Sequence, residues 1–262
     1  TANIKTPEIH NLYAVIIGIN KYKNPKLSLN YAVADANLFE KSIKESTSEL
    51  FDSVIIKKLI TKDETNRETI IGVLKQMQSL KPSDTFIFYV ASHGITDQGV
   101  YYLLTSNVGS LSTRKLIETS LNEDEIKMYL GNIPSSKKMI VFDTCSSGAI
   151  GESLQIAMLT RGLSETTAMK LLSRAVGSTI ISASKSNQEA IEGYKGHGLF
   201  TYVLAEGLRG KADLNRDKFI KTRELGDYVE DEVTEISETI FKHPQYPITI
   251  LTGDTFPIGK VK

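Results

Sequence analysis

Residues 85–94 read TFIFYVASHG, a run of aromatic and β-branched residues that ends in a small polar stretch carrying His93 and Gly94. A continuous apolar run of this length is the pattern of a strand buried on both faces, as in a parallel sheet. Similar runs occur at 138–142 (KMIVF), before Asp143-Thr144-Cys145-Ser146-Ser147-Gly148, and at 12–18 (LYAVIIG). Residues 53–60, 177–183 (GSTIISA) and 248–251 are further strand candidates, and 100–105 is a short hairpin candidate. Helical patterns lie between them. In 32–45, Ala36, Phe39 and Ile43 recur at spacings of three and four; in 67–80, Ile70, Ile71, Leu74 and Met77 form one face, and Pro82 stops the helix. Residues 122–130 read as a crossover helix, and 199–208 and 222–239 as later helices. Strands alternating with helices predict right-handed βαβ units. The expected fold class is therefore α/β, a mostly parallel, doubly wound sheet with helices on both faces.

The chain has 262 residues with 31 Lys+Arg against 31 Asp+Glu, 24% charged and 40% hydrophobic, which excludes wholesale disorder. Zero formal net charge supplies no overall field for a nucleic-acid backbone or an anionic bilayer, so neither partner is expected. The single cysteine, Cys145, excludes an internal disulfide and any metal site with two or more thiolate ligands. A reducing, cytoplasmic setting is the expectation. No apolar run approaches the roughly 18 residues of a membrane span. Residues 1–11 read as a linker and 12–262 as one unit, with 149–176 as a processing segment or helical crossover. The first residue is Thr1 rather than Met, so a regulatory domain outside these residues is expected.

In open parallel sheets, ligand sites lie beyond the carboxyl ends of the strands. If the strands at 85–90 and 138–142 are neighbours, His93 and Cys145 stand side by side there, as a thiol nucleophile and its base do. A free thiol has a pKa near ~8.5 and is largely protonated at neutral pH, so an adjacent imidazole is what activates it. Gly94 permits close backbone approach, and the N–H groups of Gly94 and Cys145 are candidates for an oxyanion hole. Taken singly, a cysteine at a strand end is more often a core residue, and His-Gly more often a turn. Their joint placement favours chemistry. Neither a G-x-S-x-G elbow nor a phosphate-binding glycine loop is present.

Three other features have weaker claims. His197, in GYKGHGLF, precedes a helix and reads as loop or cap, while His10 and His243 lie in terminal, proline-flanked segments. Asp213-Leu214-Asn215-Arg216-Asp217 with Glu224 imitates a calcium loop, but its sixth position is Lys218 where such loops carry Gly.

The two motifs, Ser92-His93-Gly94 and Asp143-Thr144-Cys145-Ser146-Ser147-Gly148, resemble those of the caspase-like cysteine peptidases, in the metacaspase and bacterial caspase-homologue branch. YAVIIGINKY, LNYAVADA, SASKSNQEA, HGLFTYVLAEGL and HPQYPITILTGDTFPIG follow in that branch's order. The resemblance implies a caspase-haemoglobinase fold with about six strands. It also implies peptide hydrolysis through an acyl-enzyme, with Cys145 as nucleophile, His93 as general acid/base and no catalytic metal. Calcium activates some metacaspases, so it is a possible activator here. Ser146 stands where His or Gln is common, and Ala91-Ser92 where Ser-Gly is common.

Asp35, in LNYAVADA, matches the acidic position of the metacaspase specificity pocket, and Asp143 lies two residues before the nucleophile. Two carboxylates would pair with a substrate Arg or Lys and repel an aspartate. Leu29 stands where animal caspases carry an arginine. Ala91, Ser182 and Ser184 are further candidate substrate contacts. Arg161, Lys170 and Arg174 are candidate self-processing sites. The expected partner is a protein substrate with a basic residue before the cut. The alternatives are a latent or regulatory caspase-fold domain and an Asp-specific protease.

Overall fold

A computed structural model describes residues 10–145, 170, 173–174, 176–183 and 190–261. Its centre is a sheet with the strand path β2 (Ser53–Leu59), β1 (Asn11–Gly18), β3 (Thr85–Asp97), β6 (Lys137–Cys145), β7 (Thr179–Ser182) and β9 (Ile248–Leu251). All neighbours on this path are parallel except β7 and β9. Two more strands, β4 (Val100–Leu104) and β5 (Ser120–Asn122), extend antiparallel from the end of β3 and bring the sheet to eight. A separate antiparallel pair joins β8 (Phe219–Lys221) to β10 (Pro257–Lys260). This is the mostly parallel α/β architecture of the caspase-haemoglobinase fold.

The helices are α1 (Ala32–Thr47), α2 (Arg67–Met77), α3 (Thr113–Thr119), α4 (Glu123–Gly131), α5 (Leu199–Glu206) and α6 (Thr222–Ile236). The chain moves one way from β1 to β2 and the opposite way from β2 to β3. Right-handed crossovers then place α1 and α2 on opposite faces of the sheet. The packing agrees: α1 contacts α5, which contacts α6, whereas α2 contacts α4. Asn66 caps α2 by accepting from Thr69 N–H at 2.8 Å, and Asn122 with Glu125 forms a reciprocal box at the start of α4. Among the described residues no helix is long and apolar enough to cross a membrane.

The runs that predicted buried strands are buried: Phe86 to Val90 on β3 and Met139 to Phe142 on β6 are at most 1% exposed. From the other side of the core, Phe39 of α1 stacks on Tyr89 with centroids 4.4 Å apart. Such side chains each contribute ~1.5–3 kcal/mol on burial. One boundary differs from expectation. The strand at 85–90 does not end before the His93 motif but runs on to Asp97. The backbone of β3 pairs with β6 as far as His93 and with β4 from Gly94 onward, so a new partner keeps it extended. Gln98 and Gly99, both at positive φ, then make the tight turn into β4.

Candidate active site

The strand order β2-β1-β3 makes the gap beyond β1 and β3 the point where the chain reverses direction across the sheet. Ligand crevices form at such points. The segment after β1, the end of the β3–β6 pairing and the segment before α5 all meet there.

His93 is fully buried. Its N–H donates to Tyr22 Oη at 3.1 Å, and the Tyr22 ring lies 5.3 Å from the imidazole. Nε2 stands 2.8 Å from the carbonyl oxygen of Leu27. A carbonyl can only accept, so this contact assigns the proton to Nε2 and makes Nδ1 the basic nitrogen of the neutral ring. Leu27 is itself fixed by a 3-10 turn over Pro25–Leu27, with Leu27 N–H bonded to Asn24 O at 3.0 Å and Asn24 Oδ1 accepting from Lys26 N–H at 3.1 Å. Lys23 and Asn24 tie this loop to Ser106 and Val108 at 2.7 and 3.0 Å. Leu27 is marked by no motif, and Tyr22, which closes the YAVIIGINKY segment, carries no expected role in the site.

Cys145 is the register partner of His93 across β3 and β6. Adjacent strands lie ~4.8 Å apart, so the two backbones are immediate neighbours although far apart in sequence. Beside them, Tyr101 Oη contacts the buried Thr144 hydroxyl at 3.3 Å. The same ring explains Gly94: a Cβ there would fall 2.5 Å from Tyr101 Oη and 2.8 Å from Cε2. Packing of Tyr101, rather than room for a ligand, is what excludes a side chain at Gly94.

A second cluster adjoins this pair. Leu29, Asp35, Ala91, Asp143, Glu192 and Gly198 line one pocket. Asp35 Oδ1 accepts from Gly198 N–H at 3.0 Å and contacts His197 Nδ1 at 3.3 Å. Asp143 Oδ2 accepts from the Thr201 hydroxyl and, at 3.3 Å, from Tyr89 Oη. Burial and the Asp143 charge push the Asp35 carboxyl from 3.8 up to about 8, against the Gly198 hydrogen bond. Burial pushes Asp143 up to about 6, opposed by Thr201 and Tyr89 and reinforced by Glu192. Glu192 is itself raised by burial. Burial and the nearby Arg209 charge lower His197, so it meets Asp35 as a neutral ring. Carboxylates held against their solvation in this way favour an incoming cation.

The predicted residues Asp35, Asp143, Ala91 and Leu29 thus converge. Ser182 does not join them: it ends β7 opposite Phe142, buried, with its hydroxyl unpartnered among the described residues. Ser184 and Arg161 lie outside the described residues. Lys170 and Arg174 are exposed and have helical backbone. His197 is a pocket neighbour rather than a simple cap, and Glu192 adds a carboxylate that no motif marks.

In the 213–224 loop, Lys218 adopts the left-handed conformation at φ 68. Asp213 accepts from the N–H groups of Asp217 and Lys218, both at 3.1 Å, and Lys221 Nζ pairs with Asp217. The loop's carboxylates therefore bind its own backbone and a lysine. Among the described residues no group of three or more His, Cys, Asp or Glu could hold a metal ion.

A family model described as Peptidase C14, caspase domain, matches residues 11–252. No curated protein matches the chain. Among solved structures, protein GSU0716 from Geobacter sulfurreducens superposes with a TM-score of 0.60 at 18% identity, covering 93% of this chain and 94% of that one. At that identity the likeness concerns the fold. The family match spans nearly the whole chain, including both strands that meet at His93 and Cys145, and the chain belongs to the caspase domain family of cysteine peptidases.

Proposed function

We propose that the protein is a cysteine endopeptidase that uses Cys145 and His93 and cuts after Arg or Lys. The observation that carries this reading is the pairing of His93 with Cys145 at one register position. The Leu27 carbonyl supports it by leaving Nδ1 of His93 as the base.

In this mechanism Nδ1 accepts the thiol proton and the thiolate adds to the scissile carbonyl. Backbone N–H groups of Gly94 and Cys145 are the proposed donors to the resulting oxyanion. Collapse breaks the C–N bond, and the imidazolium gives its proton to the leaving amine. Nδ1 then takes a proton from water as the hydroxide adds to the thioester. The second collapse releases the acid and returns the proton to sulfur. The acidic pocket beside the dyad supports basic specificity, because a buried cation needs opposite charge and Leu29 offers nothing to bind an acid.

A peptidyl chloromethyl ketone ending in arginine tests the assignment. Peptide mapping after treatment is expected to find the adduct on Cys145, with labelling slowed strongly in His93→Ala. An unmodified Cys145 under conditions that alkylate a reference cysteine peptidase would contradict it.

A further inference from the structure

We propose that His197 and Thr201 are positioning residues that each fix one oxygen of the acidic pair, so that the other oxygen of Asp35 and of Asp143 receives the substrate cation. The inference rests on the basic specificity proposed above and deepens it.

Each carboxylate is held at one oxygen. An ionised Asp35 can only accept, so its Oδ1 takes Gly198 N–H at 3.0 Å and, from the His197 tautomer protonated on Nδ1, that ring N–H at 3.3 Å. Asp143 Oδ2 takes the Thr201 hydroxyl, and Tyr89 Oη lies 2.6 Å from that hydroxyl. Thr201 gives its proton to the carboxylate, so the single Tyr89 proton points between Thr201 Oγ1 and Asp143 Oδ2, which lies 3.3 Å away, and braces both. Asp35 Oδ2 and Asp143 Oδ1 accept no hydrogen bond from the described residues.

Apart from Tyr89 of β3, the donors come from one short stretch, residues 197–201. Gly198 is the N-cap of α5. A Cβ built on Gly198 would stand 3.1 Å from Asp35 Oδ2 and 3.8 Å from Asp143 Oδ2, so the two carboxylates flank this one residue. Asp35 comes from α1 and Asp143 from β6, and the first turn of α5 is the element that sets both at once. A bare carboxylate turns freely about its terminal bond, whereas one oxygen pinned by two donors fixes where the other points. A guanidinium, with its planar fork of donors, gains most from that arrangement. Among the described residues, the other charged groups acting on this cluster are Glu192, which lines the pocket, and Arg209, which acts on His197.

The readout is the ratio of kcat/KM for an arginine peptide to that for the matched citrulline peptide, which has the same shape without the charge. His197→Phe removes the donor and keeps a ring; Thr201→Val removes the hydroxyl and keeps the volume. Each is expected to lower the ratio about tenfold, the scale of one hydrogen bond to a charged group. His197→Asn, whose Nδ2 can replace Nδ1, and Thr201→Ser are expected to restore most of it. A ratio unchanged in both donor-less variants, or a loss of activity on both peptides with the ratio intact, would overturn the inference. So would failure of the conservative variants to restore the ratio. The two arms are independent, so poor folding of one variant leaves the other decisive. A parent enzyme with no preference for arginine over citrulline would instead overturn the basic-specificity reading, and this inference with it.

Discussion

His93 and Cys145 face one another at the last register position shared by β3 and β6, where β3 leaves β6 and takes β4 as its partner. Two strands with fully buried central residues therefore bring the backbones of both residues to the same end of the sheet. Tyr22 and Leu27 complete the arrangement from the segment after β1 by binding the backbone and Nε2 of His93.

His93→Ala is expected to lower kcat on a basic peptide by about 10²–10⁴, the usual contribution of a positioned acid–base group. Tyr22→Phe should act more gently. It leaves the buried His93 N–H without its acceptor, a loss of ~1–3 kcal/mol in stability. Steady-state kinetics on both variants, with thermal melts, would separate the effects.

The pocket should make basic-peptide hydrolysis pH-dependent in a defined direction. The raised Asp143 and Asp35 carboxyls, at about 6 and about 8, must ionise to attract the cation. The arginine-to-citrulline ratio of kcat/KM is therefore expected to climb as pH rises through that window. The kcat profile for the arginine peptide should lie at lower pH, because the bound cation favours the ionised carboxylates. The citrulline peptide shares His93 and Cys145, so a ratio that stays flat with pH would contradict the charge assignment rather than the dyad.

The same carboxylate burdens the fold. Asp35 is raised from 3.8 to about 8 by burial and by Asp143, so the folded chain binds its proton more tightly than the unfolded chain between those values. Stability attributable to Asp35 is therefore present at low pH and lost as pH rises through the window. Asp35→Asn removes this slope and can still accept from Gly198. Its melting temperature should exceed the parent's by roughly 2–4 °C per kcal/mol relieved, with a larger gap at pH ~8.5 than at ~5. Melts at the two pH values check this, while hydrolysis after arginine should fall.

Two glycines predict opposite outcomes for the same substitution. Gly94→Ala drives a methyl into the Tyr101 ring and should cost ~1–3 kcal/mol. Gly72→Ala, inside α2 with nothing within 4 Å of the new Cβ, should stabilise by ~0.5–1 kcal/mol. Denaturant titrations of the pair measure both, and a neutral Gly94→Ala would remove the packing explanation for that residue.

The sheet was legible because its strands are unbroken apolar runs: the predicted 248–251 agrees residue for residue with Ile248–Leu251, and 53–60 with Ser53–Leu59 to within one position. Elements without a β-branched or apolar run escaped: β5 (SLN), β8 (FIK) and β10 (PIGK) hold at most two apolar residues in a row, unlike the ITIL of β9, and β3 continues through a sequence that reads as a turn because β4 supplies its partner. Of the site, the nucleophile and base candidates could be read because each closes a hydrophobic run. The supporting residues could not. Leu27 acts through a backbone carbonyl that any residue offers, and His197 meets Asp35 across 162 positions. Glu192 carries no local pattern, and only the folded chain brings it beside Asp143.

The proposed activity is cleavage after a basic residue by Cys145. Its most direct test is a set of fluorogenic peptides identical except for Arg, Lys, citrulline or Asp before the cut, assayed with and without calcium on the parent and on Cys145→Ala. Turnover of the Arg and Lys peptides is expected at least ~10-fold above the other two, with none by Cys145→Ala. Preferential cleavage after Asp, or basic-peptide hydrolysis that survives Cys145→Ala, would contradict it.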